Sequence, residues 1–187
     1  MNTHQSLLKE LFKTNERVKI LRYLCMRQTF SVQSVTKDTA VSKGLISQYL
    51  NLLTDECLLI RENRSFHRND DAMWHALTLI LNLDLLRKNV SLPSWANGVG
   101  IYGSWAEGKN NLESDLDLWI SVQNYNPNLE FEVGEFQRTL GTATGSDVHA
   151  LILTKEKLKT LKTQDIPFYT NFKHNHLTLC GDDIDRS

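Results

Sequence analysis

The sequence predicts an α+β chain of two compact units, the first helical with a short hairpin, the second a mixed sheet packed with helices. Three observations carry this. Apolar residues recur at helical spacing through most of the first half of the chain. After Gly98, short apolar runs of strand type alternate with helical stretches. Between the two, Asn89 to Asn97 contains Pro93 and Ser94 and breaks both patterns. A chain of 187 residues suits units of about 70 and 110 residues. The expected boundaries are 1–70, a connecting helix and linker at 71–97, and a second domain at 98–187.

In the first unit a helix is expected from Glu16 to Arg27, where Val18, Ile20, Leu21, Leu24 and Cys25 form an apolar face. Thr29 and Phe30 end it. A second helix starts after Ser31 with Val32 and Val35 inward, and a turn through Thr39, Ala40 and Val41 leads to Ser42, a good N-cap. The third helix carries Leu45, Ile46, Tyr49, Leu50, Leu52 and Leu53. Leu58–Arg61 and Ser65–Arg68 then read as two strands around Glu62-Asn63-Arg64. Helix, helix, turn, helix and hairpin in this order resemble a winged helix-turn-helix. That resemblance implies DNA contacts from Lys43, Ser47 and Gln48 on the third helix and from Arg61, Arg64 and Arg68 on the wing. The plainer alternative is a set of solvated polar faces on a domain used for protein contacts. Residues Asp70 to Lys88 repeat the helical pattern and read as one connecting helix.

The second unit begins with a strand at Gly98–Tyr102, a glycine turn and a strand at Asp115–Val122. A loop with Pro127, a helix at Glu130–Leu140 and a strand at Val148–Thr154 follow. Helical segments at Lys155–Lys162 and Ile166–Phe172 precede a last strand at Leu177–Cys180.

Composition narrows the functions. Lys plus Arg number 21 against 22 Asp plus Glu, so bulk charge does not mark a nucleic-acid binder and any DNA contact must use a local patch. Cys25, Cys57 and Cys180 are far apart and odd in number, in apolar surroundings, which suits reduced, packed thiols in the cytoplasm rather than a disulfide framework or zinc site. The amino terminus has charges scattered through it, and no run approaches the length of a membrane span; neither secretion nor a membrane partner is expected.

Chemistry concentrates in Gly100-Ile101-Tyr102-Gly103-Ser104-Trp105-Ala106-Glu107-Gly108 and Ser114-Asp115-Leu116-Asp117-Leu118. An apolar strand that runs into Gly-Ser leaves backbone N–H groups and a hydroxyl free to meet phosphate oxygens. Asp115 and Asp117, two apart on a strand, point to one face while Leu116 and Leu118 point to the other. Paired carboxylates repel unless a cation or solvent separates them, and magnesium is held by carboxylates together with substrate phosphates. The plainer alternative is an acidic outer face on a half-exposed strand.

Gly103-Ser104, ten intervening residues, and Asp115-Leu116-Asp117, with Ala106, Gly108 and Ser114 in place, resemble the DNA polymerase beta-type nucleotidyltransferase superfamily, in its minimal nucleotidyltransferase branch. The resemblance spans about residues 98–182. It implies that Gly103 and Ser104 hold the terminal phosphates of a nucleoside triphosphate and that Asp115 and Asp117 bind Mg2+, with Mn2+ as the alternative. The implied reaction is attack of an acceptor hydroxyl on the α-phosphate with release of pyrophosphate. Lys109 is a candidate for added positive charge near the phosphates.

The pattern departs at the position of a third carboxylate, which falls on His149. Asp147 lies two residues earlier, about 6.6 Å along the strand, and would need a bulge or register shift to replace it. Imidazole suits manganese or zinc better than magnesium. Two functions follow: a nucleotidyltransferase with a DNA-binding or targeting domain, or a DNA-binding regulator or antitoxin-like protein whose nucleotidyltransferase fold binds nucleotide or a partner protein with little turnover. A dimer is compatible with either. His174 and His176 lack companion ligands, Trp74 and His75 read as packing, and Trp105 and Trp119 flank the site, either to stack on a base or to pack.

Overall fold

The computed structural model describes residues 6–69 and 71–184. The expected start of the connecting helix at Asp70, and the ends of the chain, lie outside the described residues. The chain divides into two units, Met1–Thr78 and Leu79–Ser187.

The first unit contains α1 (Leu7–Leu11), α2 (Asn15–Cys25), β1 (Thr29–Ser31), α3 (Val32–Thr39), α4 (Lys43–Asp55), β2 (Leu59–Glu62) and β3 (Ser65–Arg68). The start signals act as expected. Ser31 and Ser34 form a reciprocal capping box at α3, and Ser42 accepts from the Leu45 N–H at α4. Ile20, Leu21, Leu24, Val35, Ile46, Tyr49, Leu50 and Leu53 are all fully buried. β1 is an addition to the expected elements. Thr29–Ser31 pairs with β3, Phe30 opposite Phe66, so the hairpin becomes a three-stranded antiparallel sheet in the order β1-β3-β2.

Two expectations for this unit are corrected. Arg68 turns inward rather than out to a phosphate. Its Nη1 donates to the Cys25 carbonyl at the end of α2, and its guanidinium lies 5.4 Å from the Trp74 ring centroid. An orphan helix-end carbonyl beside an aromatic face is a better partner for a half-buried cation than water. Cys57 is exposed, at a left-handed turn after α4. Cys25 is the packed thiol, pushed by burial up to about 11 and therefore poorly nucleophilic.

α5 (Ala72–Asn89) follows, and the division at Thr78/Leu79 falls inside it rather than in the Asn89–Asn97 segment. The cause is packing. Leu86 is fully buried with Ile101, Trp105, Leu116 and Leu118, and Asn82 donates to the Trp105 carbonyl at 3.0 Å and to Asn110 Oδ1 at 2.7 Å. The second half of the helix thus belongs to the core of the second unit.

The second unit continues with β4 (Gly98–Ile101), α6 (Gly103–Glu107), β5 (Leu116–Ser121), α7 (Asn128–Thr144), β6 (Val148–Leu153), α8 (Lys155–Gln164), α9 (Ile166–Asn175) and β7 (Leu177–Gly181). Its sheet has the order β6-β5-β4-β7. β5 and β6 are parallel, and the other pairings are antiparallel. Alternation along β5 sorts its side chains. Leu116, Leu118 and Ile120 enter the cores that hold Leu140, Leu129 and Val133 of α7. Trp119 packs with Leu153, Phe172 and Ile184. Among the described residues no helix is long and apolar enough to cross a membrane.

Candidate functional site

β4 delivers the chain to Tyr102 and Gly103, and the following turn is a short helix rather than an open glycine loop. Gly103 has φ +65°, and a Cβ there would stand 2.7 Å from Asp117 Oδ2. Both facts require glycine: the backbone is left-handed, and the Asp117 carboxylate occupies the space a side chain would take. Ser104 follows in the first turn of α6, whose N-cap, Tyr102, makes no side-chain capping bond. The first-turn amides are the groups a helix cannot satisfy from within.

Asp115 immediately precedes β5 and Asp117 lies within it. Tyr102 N–H donates to the Asp117 carbonyl at 3.1 Å, tying the Gly-Ser turn to the acidic strand. In the parallel register Asp117 stands opposite His149, and His149 Nε2 lies 3.4 Å from Asp115 Oδ2. The structure therefore brings Asp115, Asp117 and His149 together beside Gly103.

Asp147 is exposed and precedes β6, where its carbonyl accepts from Leu116 N–H at 2.8 Å. It lines a hollow with Gln137 and Arg138, and no bulge shifts β6. Lys109 pairs with Glu107 at 2.7 Å. Trp105 and Trp119 are buried and serve packing rather than base stacking. Trp74 is buried and donates to the Leu58 carbonyl at 2.8 Å. His176 stacks on Phe172 and lies 3.5 Å from Asp183.

Two contributors go beyond what the sequence motif names. Tyr102, packed edge-on by Phe168 and Phe172, has its phenol pushed up to about 12, first by burial and then by the Asp117 charge. Its place two residues after Gly100 on the same strand face is the one signal that points to it. The buried Asn82–Asn110 pair holds the end of the α6 loop, and no local pattern announces it.

Asp117 is raised above its ordinary value, first by burial; His149 opposes the shift and Asp115 adds to it. Because the folded state holds this proton more tightly than the unfolded chain, stability falls as pH rises above the ordinary value of 3.8. Asp117→Asn is thus expected to raise the melting temperature of the metal-free protein at neutral pH. The gain should vanish as pH falls to the ordinary carboxylate range. Melting curves in a chelator across pH check this.

Among the described residues no three His, Cys, Asp or Glu side chains form a group that could hold a metal alone. Two carboxylates and triphosphate oxygens are, however, the oxygen donor set magnesium uses, so the pair fits a metal that arrives with its nucleotide.

In the first unit, Lys43, Ser47, Arg61 and Arg64 line one hollow of about 410 Å³ together with Ser31, Gln33, Asn51 and Phe66. Gln48 is exposed on α4 outside that lining, and Arg68 is drawn away to Cys25.

No protein-family model and no curated protein matches this chain. Among the solved structures that match part of it are three toxin–antitoxin complexes. One is a toxin–antitoxin complex with AMP-PNP, 20% identical, covering 55% of this chain and 73% of that chain, at a TM-score of 0.36. A second is the MntA–HepT toxin–antitoxin, 18% identical over 59% and 75%, TM-score 0.32. The third is a tri-AMPylated Shewanella oneidensis HEPN toxin in complex with MNT antitoxin, 18% identical over 60% and 76%, TM-score 0.33. A likeness this slight carries no function across; what the site can do follows from its own residues.

Proposed function

We propose that this chain is a nucleotidyltransferase that moves a nucleoside monophosphate from a metal-bound nucleoside triphosphate to a hydroxyl acceptor. The observation that carries the reading is the Asp117 carboxylate seated against Gly103, with Asp115 beside it and the uncapped first turn of α6 alongside. Ser104 and the first-turn amides bind and orient the terminal phosphates. Mg2+ or Mn2+, held by Asp115 and Asp117, supplies neutralisation of the charge on the triphosphate. Positioning the acceptor in line with the α-phosphate accounts for most of the catalysis, since the protein forms no covalent bond.

The first unit is proposed to bind DNA in the manner of a winged helix-turn-helix, with Lys43 and Ser47 on α4 and Arg61 and Arg64 at the hairpin, leaving the protein a cytoplasmic enzyme directed to its target. Gln48 lies on the exposed face of the same helix.

The test is incubation with α-labelled nucleoside triphosphates, Mg2+ or Mn2+, and cell lysate. Label is expected on a macromolecular or small acceptor, and a chelator should stop the transfer. Absence of label with every nucleotide and both metals overturns the enzyme reading.

One observation favours a second reading, a DNA-binding regulator that holds nucleotide or a partner protein with little turnover: His149, not a carboxylate, stands opposite Asp117. His149→Asp separates the two. In a slow enzyme it should raise transfer by about 10–100-fold, the scale on which groups around a metal site act. In a binder it should leave transfer absent.

A further inference from the structure

We infer that the exposed face of α8 is a second DNA-backbone surface; the inference rests on the DNA reading of the first unit. Several surface cations are matched to nearby carboxylates: Lys13 and Arg17 to Glu10, Lys88 to Asp84, Arg138 to Glu135. α8 instead gathers four lysines on one short helix. Lys155, Lys157, Lys159 and Lys162 are all exposed, and among the described residues none forms an ion pair. From Lys155 to Gly181 the chain has five lysines and two carboxylates, within a protein whose net charge is −1.

The geometry makes these lysines a surface. Lys155, Lys159 and Lys162 follow i, i+4, i+7 spacing and share one stripe. Half-buried Leu158 and Leu161 pack against the Trp119–Phe172 core on another face, which holds the stripe outward. Asp165 is occupied as the N-cap of α9, accepting from Phe168 N–H at 3.1 Å, and Glu156, the one carboxylate within α8, stands beside the stripe, where it feels Lys159 and Lys155 without forming an ion pair with either. Such a run of like charges is self-repelling, and a polyanion relieves it.

Duplex DNA is the occupant this chemistry favours. Lysine meets phosphate as a point charge and reads no base. The other exposed residues of α8 are Glu156, Lys157, Thr160, Thr163 and Gln164, with no aromatic ring on which an unpaired base could stack, and stacking is the usual hold on single strands. The Lys43, Arg61 and Arg64 cluster in the first unit likewise forms no ion pair with a carboxylate among the described residues, so each cationic cluster by itself suits the same class of ligand.

The experiment measures binding of the full chain to a short mixed-sequence DNA duplex between about 50 and 200 mM salt. Lys155→Gln/Lys159→Gln/Lys162→Gln is expected to lower the slope of log affinity against log salt by about 2.7, at about 0.9 for each phosphate no longer neutralised. The corresponding triple Lys→Arg variant should keep the wild-type slope. DNA bound with an unchanged slope in the Gln variant overturns the inference while the DNA reading of the first unit stands. If the wild type binds no DNA, or Lys43→Gln/Arg64→Gln has no effect on binding, that reading fails instead and takes the inference with it. Stronger capture of single-stranded RNA than of the duplex assigns the stripe to RNA and overturns the choice of DNA. Matching melting curves for the variants establish that weaker binding comes from the missing charges, and the three side chains are solvent-facing, so each substitution leaves the core untouched.

Discussion

Asp115→Asn/Asp117→Asn is expected to lower nucleotidyl transfer by about 1,000-fold or more while the protein stays folded. Removing a single preorganised charge-stabilising group from an active site costs about 100–1,000-fold, and here both carboxylates proposed to hold the metal are removed together. Neither residue carries the core. Asp115 is half-exposed, and Asp117 is raised by burial and by its neighbour, so the neutral amide relieves repulsion. A steady-state assay with circular dichroism on the same samples checks both halves: abolished transfer with a native spectrum is expected, and a variant that transfers as well as the wild type would remove the acidic pair from the chemistry.

Gly100→Ala is expected to destabilise the second unit by about 3 kcal/mol, the upper part of the range for overpacking, and to lower its melting temperature by about 10 °C. A Cβ at this position would stand 2.1 Å from the Leu177 carbonyl oxygen and 2.4 Å from the Trp119 indole. The strand has nowhere to go. β4 is hydrogen-bonded on one edge to β5 and on the other to β7, where the register already shifts between Val99 and Gly100. Since β4 leads directly to Tyr102 and Gly103, the damage should also reach nucleotide binding. Calorimetry of the variant measures the first effect; a melting temperature within about a degree of wild type would show that the sheet can open at Gly100.

What the sequence made legible is what short-range chemistry decides. Ser31 and Ser42 announce α3 and α4 because N-caps act within three residues. Asp115 and Asp117 announce a shared face because strand alternation is local, whereas the Asp117–His149 register rests on the pairing of β5 with β6. The unread parts depend on distant partners. β1 is three residues long and exists because β3 offers it an edge. Arg68 has the sequence position of a wing cation, and only the fold brings the Cys25 carbonyl and Trp74 to it. Trp105 and Trp119 flank the motif in sequence, yet α5, α9 and the sheet close over them. α5 has one continuous apolar pattern, so nothing in its sequence marks the point where its packing passes from one core to the next.

The function proposed for this chain stands or falls with the Gly103-Ser104 turn and the Asp115/Asp117 pair holding a metal-bound nucleotide between them. Its most direct test is equilibrium binding of a non-hydrolysable nucleoside triphosphate in the presence of Mn2+, with the bound ion read by electron paramagnetic resonance. The expected result is nucleotide binding by the wild type that requires the metal, and disappearance of both nucleotide and ordered Mn2+ in Asp115→Asn/Asp117→Asn. Equal affinity in the two proteins, or tight binding with the metal removed, would contradict it.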